Sequence, residues 1–281
     1  WKKKGHGPMN LRSAIQRSCD VYFYEVARLL GVDRLSETAK KFGLGKKVLN
    51  GFIEERAGVV PSTAWKRKFI GKNWYLGETL HSGIGQGYFQ STPLQLCLMT
   101  AQIANGGFEI KPRVLTNEKK NNLREYIKYK NENPNEPLPT DMLVSNFDLK
   151  PLFRNQENIN FVKDAMFAAT NEAGGTSFRS RYNDQKFMFA GKTGSSQIKR
   201  FTELQRELEI KQKDIDYKDR DHALFVAFAP YSDPKYAISV VVEHGGTGSG
   251  SAAPIAKKVI KKVLERDQLR ENVKNLIGEE I

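Results

Sequence analysis

The sequence contains only two cysteines, Cys19 and Cys97, in 281 residues. Two thiols so far apart form no disulfide framework and match no zinc-ligand spacing. Its four histidines, His6, His81, His222 and His244, are equally scattered, without the paired spacing of a metal site. No apolar run approaches the ~20 residues that a membrane-spanning helix needs. No internal repeat is visible. The chain starts at Trp1, with neither an initiator methionine nor a signal peptide, and therefore reads as a piece of a longer protein. The composition is globular: 39% hydrophobic and 10% aromatic residues are too many for a disordered chain. The length suits one large domain or two small ones.

Lysine and arginine number 45 against 32 acidic residues, a formal net charge of +13. Such a surplus raises the question of nucleic-acid binding. The distribution answers against it. Basic residues are spread along the chain and mixed with acids, as in residues 199–221. The cluster Lys2-Lys3-Lys4 is short, and Lys257, Lys258, Lys261 and Lys262 lie on a helical pattern where they form a solvated face. No RNA- or DNA-binding signature is present, so no nucleic-acid partner is expected. A basic surface facing an anionic membrane or polymer fits better.

The apolar spacing predicts helix over residues 10–30, either as one helix or as two joined at Ser18-Cys19-Asp20, where two good cap residues interrupt the stripe. Gly31 ends it, and Asp33 is placed to cap the next helix, which stops at Gly43. Residues 45–91 hold no strong period. The segment Gly83-Ile84-Gly85-Gln86-Gly87-Tyr88 reads as a glycine-punctuated loop. Thr92-Pro93 then opens a clear helix that Asn105-Gly106-Gly107 closes. Residues 116–160 are polar, and part of them reads as a surface excursion. Helices are predicted over 158–172 and 252–276, and strands over 186–191, 223–229 and 236–242, the last two joined as a hairpin. The charged stretch 199–221 reads as partly helical. The fold class is α+β, a small antiparallel sheet packed against helices that precede and follow it.

Two polar groups punctuate this pattern. Lys192-Thr193-Gly194, followed by Ser195, comes directly after the apolar run at 186–191. A lysine at a strand end presents a cation beside a pocket, Thr193 offers a hydroxyl to a carboxylate, and Gly194 leaves room for a substrate backbone to pair with the strand. Ser18-Cys19-Asp20 lies between helical segments far upstream. Each group alone is commonplace. Their order, a Ser-x-Asp and then a Lys-Thr-Gly on a strand, is that of serine acyl-transfer enzymes of the penicillin-binding type.

Further stretches in the same order make the chain resemble the transpeptidase domain of class B penicillin-binding proteins, in particular those of the elongation type. They are Trp1-Lys2-Lys3 through Gly5-His6-Gly7, Ser18 through Tyr24, Gly83 through Tyr88 before the Thr92-Pro93 helix, Ala190 through Gly194, and Asp221 through Pro230. The resemblance implies a serine β-lactamase/transpeptidase-like fold. It also implies a D,D-transpeptidase that cross-links peptidoglycan stem peptides at D-Ala-D-Ala and is acylated by β-lactams. Ser18 matches the serine of the second family motif and would relay protons. Asp20 stands where many relatives carry Asn. Lys192 would polarise that relay and help orient the substrate carboxylate, Thr193 would bind the carboxylate, and the backbone N–H of Ser195 would supply half of an oxyanion hole. No cofactor and no metal are implied. The expected partners are the elongation machinery with a glycosyltransferase, and the expected place is the periplasmic face of the bacterial inner membrane, with a membrane anchor upstream of this chain.

The family's first motif, Ser-x-x-Lys, is not found in a suitable place. Ser196-Gln197-Ile198-Lys199 overlaps the strand motif, and Ser232-Asp233-Pro234-Lys235 has a proline in a turn where a helix start is needed. Residues 1–281 are therefore expected to be the C-terminal part of a transpeptidase domain, without its nucleophile and with an incomplete sheet, and inactive alone. Alternative readings are a serine β-lactamase, disfavoured by the lack of a Glu-x-x-Leu-Asn segment, and a non-enzymatic β-lactam sensor or scaffold. His6 and His81 are candidates to line the cleft, His222 is read as a packed strand residue, and Cys97 as part of a helix core. Residues 245–250 are Gly/Ser/Thr-rich but lack the ending of a phosphate loop, and the resemblance makes them a turn bordering the site.

Overall fold

The computed structural model describes residues 5–49, 54–112, 133, 136, 150–199 and 214–277, the last seven as helical backbone. The basic cluster at 2–4, most of the polar stretch at 116–160 and positions 200–213 of the charged segment lie outside the described residues.

Among the described residues seven helices come ahead of the sheet: α1 (Leu11–Arg17), α2 (Asp20–Leu30), α3 (Val32–Lys41), α4 (Thr63–Ile70), α5 (Leu76–Gly83), α6 (Pro93–Ala104) and α7 (Glu157–Asn171). Strands β1 (Ala190–Ser196), β2 (His222–Ala229) and β3 (Tyr236–Val242) follow, and α8 (Ala253–Ile277) is the last described element. The strands form an antiparallel sheet in the order β1-β2-β3, with Lys192 opposite Val226 and Ser196 opposite His222.

Period-two alternation along β2 builds a core on each side of it. Ala223, Phe225, Ala227 and Ala229 pack with Ala253, Ala256, Ile260 and Leu264 of α8. On the opposite face Phe228 meets Ile103 and Ala104 of α6 and Ile159 and Met166 of α7. The sheet is thus the middle of three layers. Burial on both faces explains why β2 reads as the continuous run His-Ala-Leu-Phe-Val-Ala-Phe-Ala. Strand β1 joins the same alternation, Phe189 packing on the α8 side and Ala190 on the α7 side. Two residues on, Lys192 therefore projects toward the α7 face, where α1 also lies.

Helix α6 also organises the loops. Thr92 and Gln95 form a reciprocal capping box with Pro93 at the first helical position. Fully buried Gln95 donates to the carbonyls of Lys46 and Ala57, and Gln102 to that of Phe42.

Several expectations are corrected. The strand predicted at 186–191 is instead a 3-10 turn over Gln185–Phe187, capped by Asp184, and β1 begins at Ala190. Lys192-Thr193-Gly194 therefore lies inside the strand, not after it. Its apolar prelude supplies the core at the strand entrance, while an edge strand facing a cleft accepts small and polar residues. Asp33 does not cap α3. Gly31 holds that position, and Asp33 accepts from the Thr63 amide and hydroxyl at 2.9 and 2.8 Å. The described part of residues 45–91 holds two helices, α4 and α5, each too short for a period to show. His81 sits in the last turn of α5.

Candidate active site

The Ser18 segment begins as a helix ending. Helix α1 stops in the hydrogen-bond pair of a Schellman motif, with the Ser18 amide on the Ile15 carbonyl and the Cys19 amide on Ala14. The left-handed residue that this motif requires is commonly glycine. Here it is Ser18, at φ 53 and ψ 62, a conformation that costs a non-glycine residue about 1–2 kcal/mol. Helix α2 starts at once, with Cys19 as its N-cap and Asp20 in the first turn, where a carboxylate suits the helix dipole. The tripeptide thus joins two helices, and neither Ser18 nor Asp20 is the N-cap of α2.

Side-chain bonds clamp α1 against α7. Arg12 binds Asp164 through Nε at 2.5 Å and Glu172 through Nη2 at 2.6 Å. These contacts, first the bond to Glu172, hold the guanidinium well above its ordinary pKa and Glu172 below the usual carboxylate range. Gln16 adds a bond to the Ala173 carbonyl and accepts the Thr176 amide through its own.

Across this junction, the Lys192 ammonium donates to Ser18 Oγ at 2.5 Å and to its neighbour's carbonyl, Thr193 O, at 2.9 Å. The two residues stand 174 positions apart in sequence. Burial pushes Lys192 down from 10.5 to about 8, with the Asp20 charge pulling partly the other way. The Thr193 hydroxyl donates to Thr176 Oγ1 at 3.0 Å. A Cβ on Gly194 would meet nothing nearer than Leu224 Cβ at 3.4 Å, so packing within the chain leaves that position open. The turn at Gly248–Ala252 reaches β1: a Cβ on Gly248 would sit 2.6 Å from the Gly194 carbonyl. Ser195 is exposed, and its carbonyl accepts from Gln86 Nε2 at 2.8 Å.

The structure therefore gathers Ser18, Lys192, Thr193, Gly194 and Ser195 along one strand and one helix junction, with Asp20 at the junction's far end. A cleft of about 340 Å³ opens beside Asp20, lined in part by His6, Met9, Cys19 and Tyr22. His81 is not among its walls. His222 is half-buried, and its Nδ1 accepts the His244 amide at 2.9 Å. Cys97, on α6, donates to the Ala237 carbonyl at 3.4 Å, and burial pushes its thiol up. Among the described residues no three His, Cys, Asp or Glu side chains gather as a metal site.

Two residues at the site escape sequence reasoning. Thr176 follows the tight Gly174-Gly175 turn after α7 and partners Thr193. Gln86 is the one polar side chain within the Gly83–Gly87 loop, itself one of the stretches that carry the family resemblance, and those two signals could have singled it out.

The arrangement can do limited but definite chemistry. A cation held on a hydroxyl lets Ser18 pass a proton while its oxygen stays polarised. A strand edge with threonine hydroxyls beside a lysine suits an extended ligand bearing a carboxylate.

The model of the penicillin binding protein transpeptidase domain matches residues 1–261. The peptidoglycan D,D-transpeptidase MrdA of Salmonella typhimurium is 34% identical over 94% of the chain, and that of Escherichia coli 31% over 99%, each match covering 40% of the relative. The chain thus spans about two fifths of the length of these relatives. Among solved structures, Helicobacter pylori PBP2 in complex with MreC superposes with a TM-score of 0.73 at 32% identity, covering 94% of this chain and 42% of that one. Pseudomonas aeruginosa PBP2 in complex with WCK 5153 gives 0.69 at 36%, covering 92% and 48%. The helices and antiparallel sheet match that fold, and the chain belongs to the family of penicillin-binding-protein transpeptidase domains.

Proposed function

We propose that the protein containing this chain is a peptidoglycan D,D-transpeptidase and penicillin target of cell-wall elongation, and that residues 1–281 are the C-terminal part of its transpeptidase domain. Within that family setting, the observation that carries the proposal is the Lys192 Nζ to Ser18 Oγ bond. It joins two family motifs into one proton path.

In this proposal the nucleophile is the serine of a Ser-x-x-Lys motif outside residues 1–281. Its Oγ attacks the carbonyl of the penultimate D-Ala. An ester bond forms, the C–N bond to the terminal D-Ala breaks, and the serine proton passes through Ser18 to the leaving amine. The amine of a neighbouring stem peptide then attacks the ester, returns its proton along the same path and releases the serine. Lys192 keeps Ser18 polarised and, with Thr193, faces the substrate carboxylate. The Ser195 N–H contributes to the oxyanion hole. A β-lactam enters the same first step, but the C–N bond that breaks lies in its ring, so the leaving amine stays attached. Asp20 holds a negative charge near the ammonium and so favours the cationic form of Lys192.

The Helicobacter pylori relative was solved in complex with MreC. That likeness supports an elongation-machinery partner for this protein. The proposal also includes a partner glycosyltransferase, an upstream membrane anchor and a place on the periplasmic face of the inner membrane, which rest on the family resemblance alone. The test is a fluorescent penicillin applied to the full-length protein. Covalent labelling is expected, and a folded, pure protein that takes no label at any dose overturns the proposal.

A further inference from the structure

Strand β1 is an edge strand among the described residues, and its outward backbone groups can be counted. In an antiparallel pair, residues alternate between those bonded to the neighbouring strand and those that point their N–H and C=O away from it. Side-chain donors reach the carbonyls of Gly191, Thr193 and Ser195, every second residue, so these three face outward. Thr170 Oγ1 holds the first at 3.4 Å, Lys192 Nζ the second at 2.9 Å and Gln86 Nε2 the third at 2.8 Å. An unpaired strand edge is a template for another chain, and such side-chain donors block it.

The three donors differ in how easily they can leave. Thr170 is fully buried on α7. Lys192 belongs to the strand itself and holds Ser18 as well. Gln86 reaches across from a loop, 109 positions away in sequence, and only half-buried. Gly85 and Gly87 flank it at φ +73 and +77. Beyond them the loop is fixed, since the Tyr88 hydroxyl donates to Glu78. The Gln86 side chain can therefore swing out while its loop stays in place.

We propose that Gln86 is a displaceable latch on the Ser195 carbonyl and thereby a specificity-determining residue for the acyl donor. An extended peptidyl donor that brings its own amide N–H to this edge replaces the Gln86 donor, and a donor lacking that N–H leaves the latch closed. This deepens, and rests on, the transpeptidase proposal above.

The test uses the full-length protein and two β-lactams. Benzylpenicillin carries an acylamino N–H that mimics the peptide amide. A carbapenem carries a hydroxyethyl group there instead. Removing the competing donor by Gln86→Ala is expected to raise the ratio of acylation rate constants, penicillin over carbapenem, by about three- to ten-fold, the size of one neutral hydrogen bond. Gln86→Glu keeps the side chain's size but cannot donate, and is expected to raise the ratio likewise. Its added charge acts on the carboxylate of both probes and cancels in the ratio. A ratio unchanged or lowered in both variants, even if both rates fall, makes Gln86 a structural residue and overturns the latch. Wild-type protein acylated by neither probe overturns the transpeptidase proposal itself, and the latch with it.

Discussion

Two enclosed lysines show how differently this fold treats the same side chain. Lys66 of α4 is 3% exposed, and its ammonium meets the Glu78 carboxylate at 2.5 Å. Trp74, Tyr75 and Tyr88 ring it, with centroids 4.8–5.9 Å away. Burial works against the charge of Glu78, yet the Lys66 bond and the Tyr75 amide hold its pKa below the ordinary value. Lys192 donates to a hydroxyl and a carbonyl, and burial brings it down to about 8. A carboxylate contact makes a buried lysine a structural strut. Neutral partners leave it near the point of losing its proton, which suits a group that must respond to an arriving ligand. The strut also serves the site at a distance, because Glu78 accepts from Tyr88 and so fixes the loop that carries Gln86.

The sharpest way to break this contrast is to delete each lysine from the full-length protein. Lys192→Ala is expected to lower the acylation rate by about 100-fold or more while leaving thermal stability at pH 7 unchanged or slightly higher, since a poorly solvated cation is removed. Lys66→Ala is expected to do the reverse. It leaves the Glu78 carboxylate without its partner and costs about 2–4 kcal/mol of stability, toward the lower side because Glu78 is 23% exposed. Its acylation rate, measured on the folded fraction, changes far less than that of Lys192→Ala. Equal losses of stability in the two variants would erase the distinction.

The partners differ as well as the lysines. Glu78 sits in a regular helix, as the third residue of α5, where its carboxylate accepts the amide of the N-cap Tyr75. Ser18 is held at a left-handed φ of 53 for a non-glycine residue. Both Ser18→Ala and Ser18→Gly remove the hydroxyl, but only glycine relaxes the backbone. Denaturant unfolding is expected to show Ser18→Gly more stable than Ser18→Ala by about 1 kcal/mol. No difference would mean that the junction carries no such strain.

What the sequence made legible follows the same division. Strands β2 and β3 and helices α6 and α7 lie within a residue or so of their predicted places, because two-sided burial and capping leave long, regular signals. Ser18 and Lys192 are recognisable through the order of family motifs, not through any local pattern. Strand β1 was misplaced because Lys-Thr-Gly-Ser-Ser carries no strand signature. Its extended form comes from pairing with β2. Helices α4 and α5 are too short to show a period. Gln86 and Thr176 stay hidden because each acts by meeting a group brought near only by the fold, the Ser195 carbonyl and the Thr193 hydroxyl.

The central claim is that Lys192 works as a cation on Ser18, poised to lose its proton near neutral pH. The most direct measurement is the pH dependence of the acylation rate constant of the full-length protein with a penicillin. Such a second-order constant reports groups of the free enzyme. The account predicts a fall as pH rises, with a midpoint at about 8, and the loss of that limb in Lys192→Arg, whose guanidinium stays charged. A rate constant that holds level from pH 7 to about 10, where an ordinary lysine titrates, would contradict it.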